Sequence, residues 1–465
     1  MPPAGPTNNY LQSASHTERA SFANKKFRTV STLAQPTFTQ DAFDSFLSAR
    51  QEPAWVRDLR LEAWQKSQEL SLPNRQQEEW MRTDVRLLRL DRFGFSAERA
   101  IGAATPDALL SHGVDLAGRT VAIDSHVVTA ELSADLARQG VIFESLDTAV
   151  QRHGDLLRPY LSRRVVNFAA DKFAALHAAW WSGGTVLYVP RGVAIQRPLH
   201  MLSALSAGGT DLGHTLVVLE AGSEATLLAE SASIARDAAG LHLGAVELIV
   251  QPGARLRYVN LQNWSSGVWH FAHQRGVVDR DARLQWTIAA LGARLAKVNQ
   301  HVALVGAGAD TEVNGVMFTE GRQHLSYHTL QHHQAPHCRS DLLYKSALQD
   351  ESRTVWRGMI KVDRDAQKTD GYQRNDNLLL SDHARSDSIP GLEIEADDVR
   401  CTHGSTAGRV DDEQVFYCRT RGLTRKEAIR TIVAGFFQQI FDRITIESVR
   451  EALGQAIGRR IREYE

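Results

Sequence analysis

The chain has 465 residues, 43 % of them hydrophobic and 23 % charged, which is typical of a globular protein with two or three structural units. Its 53 basic and 54 acidic side chains nearly cancel, so bulk charge does not indicate a nucleic acid or a membrane surface as partner. Three cysteines, Cys338, Cys401 and Cys418, are too few for a disulfide framework. Because the sequence also lacks an apolar run of about 18 residues, we expect a cytoplasmic protein without a membrane span.

Residues 1–40 are predicted to form a disordered tail. They are rich in Ser, Thr, Asn, Ala and Pro and contain few acidic residues, a composition that buries too little apolar surface to order a chain. An organelle transit peptide has a similar composition, and this alternative would place the protein in the plastid stroma.

Residues 41–185 are predicted to form a helical and mixed α/β region. Phe43, Phe46 and Leu47 repeat at helical spacing, which predicts a first helix. Pro53 interrupts it, and a second helix is predicted to follow. The remaining predictions are this second helix over 55–70, strands in "TVAIDSHVV" and "GVIFESL", and helices over 147–160 and 167–181.

Residues 186–418 consist of short β-rich runs separated by turns that resemble one another. The turns recur every 27 to 32 residues, and such a period is typical of a solenoid. Because the turns lack hairpin dipeptides, a parallel β-helix is favoured over an antiparallel β-sandwich. The turn positions are Gly192, Gly222, Gly253, Asp281, Gly308, Pro336, Asp365 and Asp397.

Residues 419–465 are predicted to form two amphipathic helices. Thr424 and Glu427 form a capping-box pattern at the start of the first helix. Apolar side chains then follow one helical face, which fits a packed helical hairpin, a cap on the solenoid, or a surface that docks a partner. The stripe comprises Ile429, Ile432, Val433, Phe436, Phe437, Ile440 and Phe441, and the second helix carries Val449, Leu453, Ile457 and Ile461.

The segment "HLSYHTLQHHQAPHC" (residues 324–338) contains five histidines that could bind a metal. In a strand, side chains two residues apart share a face, so His324, His328 and His332 are separated from His333 and His337. A ladder of polar side chains on one face of the β-helix is therefore the favoured interpretation, with a metal site as the alternative.

Two further sets of residues could carry chemistry. Asp363, Asp365 and Asp370 fit a β-helix carbohydrate enzyme, although Asp is common in turns for local reasons. In "EADDVRCTHGST" (residues 395–406), Cys401 and His403 would face the same side of a strand. This pair could bind a metal, act as nucleophile and base, or consist of ordinary strand residues.

The stretch "AQKTDGYQRNDNLLLSDHARSDSIPGLEIEADDVRCTHGSTAG" (residues 366–408) resembles the core signature of the SufB/SufD family of iron–sulfur cluster assembly subunits. "LPNRQQEEWMRTD" (residues 72–84), "RCTHGSTAG" and "DEQVFYCRTRGLTRKEAIRTIVAGFF" are similar to the SufD type rather than the SufB type. The resemblance implies a right-handed parallel β-helix between helical regions, and a non-catalytic scaffold subunit. A SufB-like primary scaffold is the alternative within the family.

The same resemblance implies partners and site residues. The chain is expected to pair with SufB, or with itself, through the β-helix, and to bind the SufC ATPase through residues 419–465. His403 matches a position proposed to hold iron or a nascent cluster at the subunit interface, and Cys401 matches a frequent neighbour. The expected cargo is a transient, shared cluster or iron, and the pair would be half of a site. The SufC-docking residues implied are Thr424, Glu427, Ile429, Val433, Phe436, Phe437 and Ile440.

Overall fold

The computed structural model describes residues 38–95, 105–161, 165–235 and 237–461, so nearly all of the predicted tail, residues 1–40, lies outside the described part of the chain. No helix of the described part is long and apolar enough to cross a membrane. The helices are α1 (Gln40–Ser48), α2 (Ala54–Glu69), α3 (Ala134–Arg138), α4 (Leu146–Leu161), α5 (Lys172–Trp180), α6 (Asp412–Thr420), α7 (Arg425–Phe441) and α8 (Glu447–Arg460), with 3-10 turns at Glu78–Trp80 and Leu90–Arg92.

Strands make up most of the remaining chain, and most of them from the middle onward are about ten residues long. They are β1 (Gly118–Ile123), β2 (His126–Leu132), β3 (Ile142–Ser145), β4 (Gly184–Val189), β5 (Leu199–Leu205), β6 (Thr210–Asp211), β7 (His214–Leu219), β8 (Glu224–Ser233), β9 (Ala239–Val250), β10 (Arg255–Asn263), β11 (Gly267–Val278), β12 (Arg283–Ala290), β13 (Leu295–Leu304), β14 (Asp310–Thr319), β15 (His324–His333), β16 (Arg339–Leu348), β17 (Arg353–Val362), β18 (Asp370–Leu379), β19 (Arg385–Ile394) and β20 (Arg400–Arg409).

These strands form two long sheets, which confirms the predicted mainly β fold with a parallel β-helix between helical regions. Sheet 1 has the order β2-β1-β5-β8-β10-β12-β14-β16-β18-β20, and sheet 2 has the order β3-β4-β7-β9-β11-β13-β15-β17-β19. From β7 onward, successive strands alternate between the sheets, so each coil adds one strand to each. Among the strands of the described residues, only β2 and β3, at the start of each sheet, pair antiparallel with their neighbours.

A left-handed residue marks one corner of the coils from Gly192 to Lys368 and explains the repeat in the sequence, whereas the turn at the predicted Asp397 has no left-handed residue. The backbone N–H of each corner residue donates to a carbonyl of the next coil, as from Gly222 to Pro252 at 3.0 Å and from His337 to Gln367 at 2.9 Å. A side chain at Gly222 would meet nothing within 4 Å, so its positive φ alone favours glycine there. The corner residues are Gly192, Gly222, Gly253, Asp281, Gly308, His337 and Lys368, the last two differing from the predicted Pro336 and Asp365.

The helices cover the two flat outer faces of the β-helix. Helices α1, α2 and α5 pack on the outer face of sheet 2 through aromatic side chains such as Trp180 and Phe271. Helices α7 and α8 pack on the outer face of sheet 1, against side chains such as Phe318 and Leu343. The C-terminal helices therefore lie along the side of the solenoid, and the interpretation that they cap its last coil is wrong.

The last coil is consequently open. Within the described chain, β20 pairs only with β18 and β19 only with β17, so each has a free edge. Leu392 and Ile394 of β19 lie in register with the fully buried Ile360 and Val362 of β17. Yet Leu392 is 37 % and Ile394 40 % exposed, because no further coil covers them.

Candidate site at the open end of the β-helix

Cys401 and His403 lie on β20, and both belong to the side that faces the interior of the solenoid. Cys401 is in register with Gly371 of β18, and His403 with Gln373. Gln373 is fully buried and its side-chain amide donates to the Gly391 carbonyl of the opposite sheet at 2.9 Å, which identifies this row as inward-facing. The prediction that the pair shares one side of a strand is therefore correct, and the side is the inner one at the open end.

The Cys401 sulfur occupies a space that glycine provides. A Cβ atom at Gly371 would lie 3.2 Å from the Cys401 sulfur and 3.3 Å from Cγ2 of Ile360, closer than ordinary contact. Burial raises the pKa of the Cys401 thiol, and the Asp370 carboxylate adds to the rise. In the chain alone the side chain is therefore a half-buried thiol rather than a reactive thiolate.

His403 is exposed. Residues two apart on a strand have Cα atoms roughly 7 Å apart. The side chains of Cys401 and His403 can therefore reach one iron atom or one small cluster. Thiolate and imidazole are the protein ligands that iron–sulfur centres use. Among the described residues no group of three or more His, Cys, Asp or Glu side chains could hold a metal ion. The pair by itself could therefore supply no more than two ligands to a metal.

The predicted docking stripe on α7 faces the protein's own sheet. Ile429, Val433, Phe437 and Ile440 are buried in the core shared with sheet 1, and Phe436 is half-buried. The capping box at the start of α7 is present, with Thr424 Oγ1 accepting from Glu427 N at 3.2 Å and Glu427 Oε2 accepting from Thr424 N at 2.8 Å. Thr424 and Glu427 remain at the surface.

Sequence reasoning did not identify the exposed aromatic pair of this region. Phe416 is 68 % and Tyr417 60 % exposed on α6, beside the buried Val415. The two aromatics are adjacent in "DEQVFYCRT", and neighbouring helical residues cannot both face the core when Val415 already does. That spacing was the available signal for an exposed apolar patch.

The five histidines of residues 324–338 do not converge. His328 Nε2 lies 2.7 Å from the Lys297 ammonium on the outer face, whereas His333 Nε2 lies 2.8 Å from the Ser340 hydroxyl in the interior. Burial lowers the pKa of His324 and His333 to about 4 and that of His328 to about 2, so these rings are neutral. The ladder interpretation fits this arrangement better than a metal site.

The open end contains three further residues that were not identified from the sequence: Leu392, Ile394 and Pro390. Leu392 and Ile394 alternate with glutamates in "LEIEADD", which is a strand pattern with one apolar face. Pro390 lies inside β19, and proline within a strand is confined to edges or bulges. Together these residues signal an edge strand with an uncovered apolar face.

The fold is that of a β-solenoid protein, and its candidate metal-binding residues, Cys401 and His403, lie at an exposed end rather than in an enclosed cleft. Residues 202–436 match the family model for the SUF system FeS cluster assembly SufBD core domain, and residues 42–201 match that for the SufBD protein N-terminal region. The chain belongs to the SufB/SufD family of iron–sulfur cluster assembly proteins.

Named relatives cover most of the chain. It is 28 % identical over 430 residues to the iron–sulfur cluster assembly protein SufD of Bacillus subtilis, which spans 91 % of this chain and 98 % of that protein. It is 29 % identical over 333 residues to an iron–sulfur cluster assembly SufBD family protein of Staphylococcus epidermidis, covering 71 % of each chain. A Staphylococcus aureus protein of the same description is 28 % identical over 333 residues.

Proposed function

We propose that the protein is a SufD-type scaffold subunit on which nascent iron–sulfur clusters are built, and that it has no catalytic turnover of its own. The observation that carries this proposal is similarity to a protein named SufD over 91 % of the chain, combined with an open coil that bears Cys401 and His403. The motif "RCTHGSTAG" favours the SufD type over a SufB-like primary scaffold. The carbohydrate-enzyme alternative has no support from the family.

The proposed partner at the open end is the β-helix of a SufB chain. Two free strand edges and the uncovered Leu392 and Ile394 would be covered by a second coil of similar width. Unpaired edges and exposed apolar side chains are both unfavourable in isolation, which is why such surfaces mark interfaces. In the absence of SufB, a second copy of this chain is the expected occupant.

In this proposal the cluster or iron is cargo that the two chains hold jointly. Cys401 and His403 supply at most two ligands, so a tetrahedral iron needs ligands from the partner or from sulfide. The raised pKa of the Cys401 thiol favours a neutral group until a cation arrives. Such a shared site would release its cargo when the two chains move apart.

We assign SufC docking to the C-terminal helices, with the contact made by their exposed side. Phe416 and Tyr417 on α6, with Thr424 and Glu427 at the start of α7, are among the exposed residues of this region. The buried part of the predicted stripe, including Val433 and Phe437, would act indirectly by holding α7 on sheet 1.

Co-purification and cluster loading test the proposal. The full chain is co-expressed with its SufB and SufC partners, purified, and reconstituted anaerobically with iron and sulfide, with the cluster followed by absorbance. We expect Ile394→Lys to reduce pairing with SufB, and His403→Ala to retain pairing but load less cluster. His383→Ala, an exposed histidine on the turn between β18 and β19, is the matched control. Normal loading of His403→Ala would refute the site, and failure to retain SufC would refute the docking assignment.

A further inference from the structure

A cavity lies between the N-terminal helices and the outer face of sheet 2. The residues that line it are distant in sequence from Cys401 and His403. The cavity has a volume of about 70 Å³ and is partly open to solvent. Its walls are largely apolar and aromatic, and include Trp55, Leu59, Phe168 and Trp181. Two polar side chains at its edge, His214 of β7 and Glu247 of β9, are themselves nearly buried, with 8 % and 3 % exposure. Apolar walls with a few converging polar groups are the usual features of a small-molecule site.

The hydrogen-bond chain that ends at this pair fixes where protons lie. His177 Nδ1 is 2.9 Å from the Leu243 carbonyl oxygen, which only accepts, so Nδ1 carries a hydrogen. Burial and the neighbouring His214 lower the pKa of His177 well below its usual value, so its Nε2 carries a lone pair. His214 Nδ1, 3.3 Å away, must then donate to it.

The consequence is a pair of unsatisfied polar atoms at the cavity. The other ring nitrogen of His214, Nε2, faces Glu247 Oε2 at 3.9 Å, which is too far for a hydrogen bond. Within the described part of the chain, neither atom has a hydrogen-bond partner. The other oxygen, Glu247 Oε1, accepts from Val166 N at 2.9 Å. Two buried polar atoms without hydrogen-bond partners are unfavourable, and a molecule that bridges them would remove this cost.

The charges around Glu247 also favour a ligand that carries a positive charge. Within the described chain, no Lys or Arg side chain forms an ion pair with Glu247 within 4 Å. The cation at the adjacent wall, Arg60, lies 4.1 Å from the centre of the Trp181 ring but is already paired with Glu52 at 2.7 Å. A buried carboxylate without a Lys or Arg partner favours the arrival of a cation.

Another buried His–Glu pair provides an internal comparison. Glu230 lies 3.6 Å from His200, yet both of its oxygens accept backbone hydrogen bonds, from Leu109 N at 2.8 Å and Leu110 N at 3.0 Å. Glu230 is therefore satisfied by its own chain, whereas Glu247 has one oxygen unsatisfied beside a cavity.

We propose that this cavity binds a small primary ammonium with a short apolar body, whose N–H groups bridge Glu247 and His214. The ammonium supplies several donors and a positive charge, and the aromatic walls accept both its apolar chain and its cation. A neutral alcohol of the same length would supply one donor without the charge, and a carboxylate would be repelled. No step of the proposed cluster chemistry is needed for this binding.

Three probes of equal length test the proposal on the full chain: n-butylammonium, 1-butanol and butyrate, observed by saturation-transfer NMR. We expect n-butylammonium to bind with a Kd on the order of 1 mM, 1-butanol about tenfold more weakly, and butyrate not at all. Equal binding of the three probes, or no binding of n-butylammonium at ~20 mM, would overturn the proposal.

Variants distinguish the loss of the binding site from the loss of the fold. Glu247→Gln should reduce n-butylammonium binding to the level of 1-butanol, and Glu230→Gln should leave it unchanged. Ala178→Leu, on the wall formed by α5, should fill the cavity and abolish binding while retaining the carboxylate. Melting temperature and circular dichroism check each fold. A crystal soaked in n-butylammonium that contains only a water between Glu247 and His214 would also contradict the proposal.

Discussion

Phe437 and Phe416 lie on consecutive C-terminal helices in opposite environments, and this contrast yields a prediction about both stability and docking. Phe437 is fully buried, with its ring 6.0 Å from that of Phe441 and 5.2 Å from that of Phe436. Phe416 is 68 % exposed. Removal of the Phe437 ring loses about 1.5–3 kcal/mol of transfer free energy, and the cavity left behind raises the total to about 3–5 kcal/mol. Phe416→Ala should change the free energy of unfolding by no more than about 0.5 kcal/mol.

Hydrogen exchange of the amides in α7 and α8 measures this difference locally. Because 1.4 kcal/mol corresponds to a factor of ten, Phe437→Ala should lower their protection by roughly 10² to 4 × 10³-fold if the helices open as one unit. Phe416→Ala should leave protection intact and yet weaken SufC binding, and Tyr417→Ala is a second variant of the same surface. Equal protection from hydrogen exchange in the two phenylalanine variants would refute the conclusion that the α7 stripe is buried in the protein's own core.

Three further predictions concern the corners, a buried lysine and the cysteine. Gly222→Ala should lower the free energy of unfolding by about 1–2 kcal/mol through its positive φ alone, whereas Lys368→Gly should raise it by about 0.5–1 kcal/mol; melting temperatures check both. Burial lowers the pKa of Lys297 to about 7, so between that pH and about 10 the unfolded chain binds more protons, and stability should rise with pH. Lys297→Met should flatten this rise in denaturation curves recorded from pH 7 to pH 10. Gly371→Ala should displace the Cys401 sulfur, which lies 3.2 Å from the added atom, and accelerate its alkylation; an unchanged rate would contradict that packing.

The solenoid could be predicted because its turns are local. A corner with positive φ favours Gly or Asp wherever it occurs, so the period is visible without any knowledge of contacts. The same reasoning misplaced two corners, since His337 and Lys368 adopt the left-handed conformation without being glycine. Hydrogen bonds to the next coil hold them there, and such bonds between coils leave no mark in the sequence.

The orientation of helices could not be predicted from periodicity. An amphipathic stripe has the same pattern whether it packs on its own chain or on a partner. The residues from Ile429 to Ile440 therefore fitted both interpretations, and the position of α7 along the side of sheet 1 decides where their side chains lie. The pairing of His214 with Glu247 was equally hidden, because it depends on the register of β7 and β9.

The side shared by Cys401 and His403 followed from strand geometry, but the openness of their coil did not. Openness depends on where the helices pack and on the number of coils, which are properties of the whole molecule. Pro390 was the local signal for an edge, and the alternation around Leu392 and Ile394 was the signal for an apolar face on it.

The antiparallel strands β2 and β3 make the two ends of the solenoid different. This difference limits how many chains can associate end to end. Strands β2 and β3 reverse the strand direction at the first coil, so that end does not offer the parallel register in which a last coil would continue. The described part of each chain then has a single parallel end, and a pair joined there has no such end left. Pro390 further reduces the number of backbone donors on that edge. We therefore expect association through β19 and β20 to stop at two chains instead of growing into a fibre.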